Sequence, residues 1–173
     1  MCTGNICRSP AAELLLADAL GESVVVASAG THALVGHGIP EPMIVELAAD
    51  GIDGASHAGR QLNETIMTGA AIIITMTREH RQLAVQTAPS ALKRTFTLAE
   101  LAAAAGTGAT LTGATIDERL AEIPAAVAAH RHVLAEFELD DVPDPFRRPQ
   151  AEYHQSYRLI RSAVAEFVEW LKV

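Results

Sequence analysis

The sequence predicts an α/β domain of three layers, with a central parallel sheet and helices on both faces. Three observations carry this expectation. Residues 24–29 (VVVASA) and 70–75 (AAIIIT) are short, largely β-branched runs without polar alternation, as strands buried on both faces require. Helical patterns separate these runs, the arrangement that yields parallel strands joined by crossovers. With 173 residues, 49% hydrophobic and 20% charged, the chain suits one domain with one core.

The elements follow in order. Ser9 and Pro10 read as an N-cap and first helical residue, opening a helix over 10–20 whose leucines at 14, 15, 16 and 20 give a broad apolar face. Gly21 closes it. The strand over 24–29 comes next, then a loop over 30–39 and a helix over 42–50 stopped by Gly51. A strand over 70–75 precedes a helix over 78–86 that ends near Pro89, and 94–97 forms a short strand before an alanine-rich helix to Ala105. Residues 106–113 read as a Gly/Thr/Ala linker, and 116–136 as mostly helical, with Pro124 as a kink or break. A terminal helix over 151–171 places Tyr157, Ile160, Val164, Phe167 and Leu171 on one stripe.

The chemistry concentrates at the beginning. Cys2-Thr3-Gly4-Asn5-Ile6-Cys7-Arg8-Ser9-Pro10 sets a cysteine six positions before an arginine. The residues between can curl so that successive backbone N–H groups face one centre, a nest that attracts anions. The positive end of the following helix adds to that field. Cys2 at the base of such a cup is favoured as a thiolate nucleophile, and the planar fork of Arg8 suits two oxygens of a phosphate. Thr3, Gly4, Asn5, Ile6, Cys7, Arg8 and Ser9 form the expected phosphate-binding loop. Ser9 is placed to donate its hydroxyl to the Cys2 thiolate, and Asn5 to brace the loop or simply to take a left-handed turn position. Cys7 reads either as a quiet loop residue or as a redox partner that traps oxidised Cys2 as a disulfide. The two cysteines supply no four-ligand set, so neither a metal nor a cofactor is expected.

The nine-residue string resembles the signature loop of the low molecular weight protein tyrosine phosphatase family, whose relatives include arsenate reductases. Further stretches carry the resemblance: Ser28-Ala29-Gly30-Thr31, then Ser56-His57-Ala58-Gly59-Arg60-Gln61-Leu62 with Gly59 where the family has alanine, then 72–76, then Pro143-Asp144-Pro145-Phe146. The resemblance implies a single phosphatase-like domain over 1–173, with an unmatched insertion around 106–132. It implies a four-stranded sheet and a phosphocysteine intermediate on Cys2. It also implies Asp144 as general acid, whereas spacing alone reads Asp144 as an Asx turn before Pro145. Asp140 and Asp141 are expected to be solvated loop charges. Leu34, where the family often presents an aromatic, and Phe146 are expected to wall the substrate.

The implied activity is a cysteine-dependent phosphomonoester hydrolase, a protein-tyrosine phosphatase acting on a phosphotyrosine protein or a small phosphomonoester. Two alternatives stand beside it: a single-thiol arsenate reductase linked to mycothiol or a glutaredoxin, and a noncatalytic phosphate-binding protein. In the family a buried strand of roughly half a dozen residues precedes the loop, and here only Met1 does. The first strand is therefore expected to be missing, through a start placed too far downstream or a truly short chain, with weak stability or activity as the result. A net charge of −8 disfavours nonspecific nucleic-acid binding, and no apolar run has membrane-spanning length. With no signal-peptide pattern and two free thiols, a reducing cytoplasm is the expected location.

Overall fold

The computed structural model describes residues 1–172. Its helices are α1 (Arg8–Leu20), α2 (Glu41–Ala49), α3 (Glu64–Gly69), α4 (Arg78–Thr87), α5 (Leu98–Gly106), α6 (Ile116–Ala129), α7 (Arg131–Leu134) and α8 (Gln150–Leu171), and its strands are β1 (Ile73–Thr75) and β2 (Thr95–Thr97). The strands pair in parallel, with Ile73 opposite Thr95 and Thr75 opposite Thr97. Two isolated parallel bridges, Cys2 with Gly30 and Gly30 with Gln61, continue the sheet direction beside the phosphate loop. The expected α/β architecture with a parallel sheet is present, reduced to its pairing minimum.

One core fills the space between sheet and helices. Leu16 of α1, Met43 and Leu47 of α2, Leu101 of α5 and the α8 stripe of Tyr157, Ile160, Val164, Phe167 and Leu171 are buried in the same cluster. Leu111, Leu120, Ile123 and Val127, from the stretch around 106–132 expected to be an insertion, join that cluster, as does Leu134.

Residues 24–29 depart from expectation. Val24 is extended (φ −143°, ψ 134°), yet no ladder forms along the segment, and Val25 is 96% exposed. The reason is geometric. A groove of about 590 Å³ separates this segment from β1, lined by Leu16, Leu20, Val24, Val26, Met67, Ile72 and Ile74. Met1 closes one end: its amino group donates to the Ile74 carbonyl, and its own carbonyl accepts from Met76 N at 3.0 Å. Among the described residues, no hydrogen bond joins residues 24–29 to β1 across this groove.

Three smaller expectations are also corrected. The first helix starts at Arg8 with Cys7 as N-cap, so Ser9 is inside the helix and its hydroxyl is used elsewhere. Pro124 does not break α6, which runs on to Ala129; the break comes at His130, between α6 and α7. Residues 106–113 are not a free linker, because Ala109 and Leu111 are buried and Trp170 Nε1 donates to the Ala109 carbonyl at 2.7 Å. α3 was not foreseen; Asn63 caps it by accepting from Ile66 N at 2.9 Å.

Candidate active site

The loop from Cys2 to Arg8 is held from outside by its carbonyls. Thr31 N, His32 N and Leu34 N donate to the carbonyls of Cys2, Thr3 and Gly4 at 2.9, 3.0 and 2.9 Å. Among the described residues, nothing accepts from the backbone N–H groups of residues 3–8. A loop with occupied carbonyls and free amides has the character of an anion nest. The amino end of α1 begins at the same place, adding its dipole.

Asn5 fixes this shape. Its φ of 54° is left-handed, a conformation that asparagine tolerates when its side chain is well bonded. Here the side chain is fully buried and saturated: Nδ2 donates to Ser9 Oγ at 3.0 Å and Ser28 Oγ at 2.7 Å, while Oδ1 accepts from Arg60 N at 2.8 Å. Ser28 in turn donates to the Glu13 carboxylate. His57 Nε2 donates to the Asn5 carbonyl at 2.8 Å, which fixes its tautomer and turns Nδ1 toward Glu13, 3.8 Å away. Ser9 Oγ lies 2.9 Å from Cys2 Sγ. The side chains of Asn5 and Ser9 thus stand behind the loop, engaged in this network, while the Asn5 backbone N–H stays with the free amides.

The cavity itself holds about 200 Å³ and is lined by Cys2, Thr3, Gly4, Ile6, Cys7, Arg8, His32, Leu34, Asp144 and Phe146. Arg8 is buried, with Nη1 donating to the Val142 carbonyl at 3.1 Å and Nη2 in an ion pair with Asp144 Oδ2 at 2.9 Å. Val142 N donates to the Met76 carbonyl at 2.9 Å, so the segment carrying Asp144 is hung from the end of β1. Asp144 Oδ1 also accepts from Phe146 N at 3.2 Å, an Asx turn. The turn and the position at the cavity coexist. Asp141, expected to be merely solvated, accepts from Arg78 N at 2.8 Å at the start of α4.

Cys7 is buried, and desolvation, reinforced by Cys2 and Asp144, pushes its thiol up to about 12. It stays a neutral thiol at ordinary pH. Two close approaches explain glycines in the surrounding loops. A Cβ on Gly30 would lie 2.4 Å from the Thr3 carbonyl oxygen, and one on Gly59 would lie 2.5 Å from that of Leu34.

One residue escaped the sequence reading. His80 is buried between Thr3 and Thr77, with Nε2 at 2.8 Å from Thr3 Oγ1 and Nδ1 at 2.8 Å from Thr77 Oγ1. Desolvation, with Arg8 nearby, lowers it to about 4, so the ring is neutral and links the loop to α4. Its position two residues into a charged helix gave no signal. Glu13 was similarly invisible, because its function depends on Ser28, fifteen positions away.

Comparison with known proteins agrees with this geometry. Residues 1–110 match the family described as low molecular weight phosphotyrosine protein phosphatase. The low molecular weight protein-tyrosine-phosphatase Etp of Escherichia coli (strain K12) is 28% identical over 171 residues, covering 99% of this chain and 91% of Etp. A protein-arginine-phosphatase of Geobacillus stearothermophilus is 37% identical over 98 residues, covering 57% of this chain and 66% of that protein. Among solved structures, the tyrosine phosphatase Wzb from Escherichia coli K30 in complex with sulphate superposes with a TM-score of 0.73 at 25% identity, covering 99% of this chain and 94% of Wzb.

Proposed function

The chain belongs to the low molecular weight phosphotyrosine protein phosphatase family, and from that premise we propose a cysteine-dependent hydrolase of phosphotyrosine in proteins, working through Cys2, Arg8 and Asp144. The observation that carries the assignment of roles is the free-amide loop with Cys2 at its base and the Arg8–Asp144 pair at its rim. Cys2 Sγ attacks phosphorus, and a phosphocysteine forms as the ester P–O bond breaks. Asp144, as the general acid of this step, gives a proton to the departing phenolate oxygen. Arg8 and the amides of residues 3–8 stabilise the equatorial oxygens as their charge redistributes. In the second step Asp144 takes a proton from water as it attacks phosphorus, and the Cys2 thiolate leaves, steadied by the Ser9 hydroxyl.

The apolar pair Leu34 and Phe146 at the mouth supports an aryl phosphate as substrate, with the ring against Phe146. Cys7, a neutral thiol in the same wall, does not compete as nucleophile; we assign it to forming a reversible disulfide with oxidised Cys2. No helix among the described residues is long and apolar enough to cross a membrane. We place the enzyme in the cytoplasm, where both thiols stay reduced.

The test is turnover of p-nitrophenyl phosphate and a phosphotyrosine peptide by the wild type and Cys2→Ser. The expected result is loss of activity in the variant; activity unaffected by Cys2→Ser refutes the mechanism. A protein that consumes thiols in an arsenate-dependent manner without hydrolysing either ester is a reductase. One that binds phosphate and does neither is a binding protein, and preferential turnover of phosphoarginine moves the substrate class.

A further inference from the structure

Arg147 stands where physical chemistry calls for glycine. Arg148 N donates to the Pro145 carbonyl at 2.9 Å, closing a β-turn over 145–148. Arg147 is the third residue of that turn, at φ 60°. A left-handed third position is the place for glycine or asparagine, since a larger side chain brings Cβ against the carbonyl. Only Asn5 and Arg147 among the described non-glycine residues have positive φ. Asn5 is compensated by the three side-chain hydrogen bonds given above. Arg147 has no such support: its backbone N donates to Tyr153 Oη at 3.3 Å, but no acceptor among the described residues bonds its guanidinium.

The side chain nevertheless has a defined place. Its guanidinium carbon lies 5.1 Å from the centroid of the Phe146 ring. Phe146 lines the cavity with Leu34 and Cys2, so one ring separates the Arg147 guanidinium from the residues that line the cavity. Stacking uses the face of the guanidinium and leaves its in-plane N–H donors open. Elsewhere the charge of the chain works against acidic ligands, with a net −8. Arg8, which lines the cavity, is already paired with Asp144, whereas Arg147, behind the Phe146 ring, keeps its donors unused among the described residues.

We propose that Arg147 is a specificity residue that recognises a carboxylate next to the phosphorylated side chain, so that the preferred substrates are acidic phosphotyrosine peptides. The proposal rests on the hydrolase reading of the site. In the complex, the aryl ring lies against Phe146, and a neighbouring Glu or Asp side chain accepts from the Arg147 fork. The backbone strain persists because glycine, which would relieve it, has no donors to offer.

The experiment compares kcat/KM for two phosphotyrosine peptides that differ only in having Glu or Ala on both sides of the phosphotyrosine. Wild type, Arg147→Gly and Arg147→Lys are assayed at low and high salt. Glycine fits the turn, so Arg147→Gly folds. The wild type is expected to favour the Glu peptide by about fivefold at low salt, the scale of one exposed charge pair, and to lose this preference as salt rises. Arg147→Gly abolishes the preference, and Arg147→Lys retains part of it. Turnover of both peptides with equal kcat/KM, or an acidic preference that survives in Arg147→Gly, overturns this proposal alone. Failure of the wild type to hydrolyse either peptide overturns it together with the hydrolase reading.

Discussion

At the scale of single residues, Asp144 and Arg147 carry opposing demands. The Asp144 carboxylate occupies a partner of Arg8 that a phosphate oxygen would also use, at 2.9 Å. Removing its charge therefore separates binding from turnover. Asp144→Asn is expected to bind inorganic phosphate several-fold more tightly by calorimetry, while kcat on a phosphotyrosine peptide falls by about 10²-fold through loss of the proton donor. Weaker phosphate binding, or an unchanged kcat, counts against the assigned role. Arg147 is the converse case, a residue whose replacement should help the fold. Relief of its φ of 60° in Arg147→Gly is expected to add about 1 kcal/mol and raise Tm by about 3 °C. Cys2, Arg8 and the Asn5 turn were legible in the sequence because the loop is local: nine consecutive residues contain the nucleophile, the cation and the bend. The placement of Asp144 was legible only through resemblance, since the hydrogen bonds from Val142 to Met76 and from Arg8 to Val142 join parts of the chain that no spacing rule connects.

At the scale of elements, the phosphate loop depends on what packs against it. Gly30 lies so close that a Cβ would sit 2.4 Å from the Thr3 carbonyl oxygen and 3.0 Å from Asn5 N. Gly30→Ala is expected to displace the loop, costing about 2–3 kcal/mol by urea unfolding and most of the activity. An unchanged midpoint would show that the loop yields easily. The link from the loop to α4 through His80 is sensitive to pH. The unfolded histidine takes up a proton near 6.5 and the buried one only near 4. Between these values unfolding binds a proton, so stability falls as pH falls through the window and this contribution is exhausted below about 4. His80→Asn is expected to flatten the dependence of Tm on pH between these limits. Helices were well read because their caps and stripes are local; α8 is the clearest case, every position of its predicted stripe being buried. Pro124 misled because its ring is accepted within α6, whereas the chain interrupts itself at His130 without any glycine or proline to announce it.

At the scale of the whole molecule, the groove beside β1 opens the core to solvent. The sequence shows two strongly β-prone runs, 24–29 and 70–75, and strand propensity alone predicts that both enter a sheet. Propensity does not supply a neighbour, so only 73–75 forms a ladder, with β2 on one flank and the two Met1 hydrogen bonds on the other. Six apolar, β-prone residues fused ahead of Met1 are expected to enter the groove parallel to β1, raising Tm by roughly 10 °C if about 3 kcal/mol of burial remains after ordering costs. The same fusion should suppress binding of a hydrophobic dye; a fused segment that changes neither property is not in the groove. Beyond the two bonds that Met1 makes at one end, the extended segment of Val24, Val25 and Val26 and the facing flank of β1 leave the groove lined by apolar side chains and unladdered backbone. In physical terms, an open apolar groove flanked by unpaired backbone is an adhesive surface, and exposed edges of this kind are where association between molecules starts.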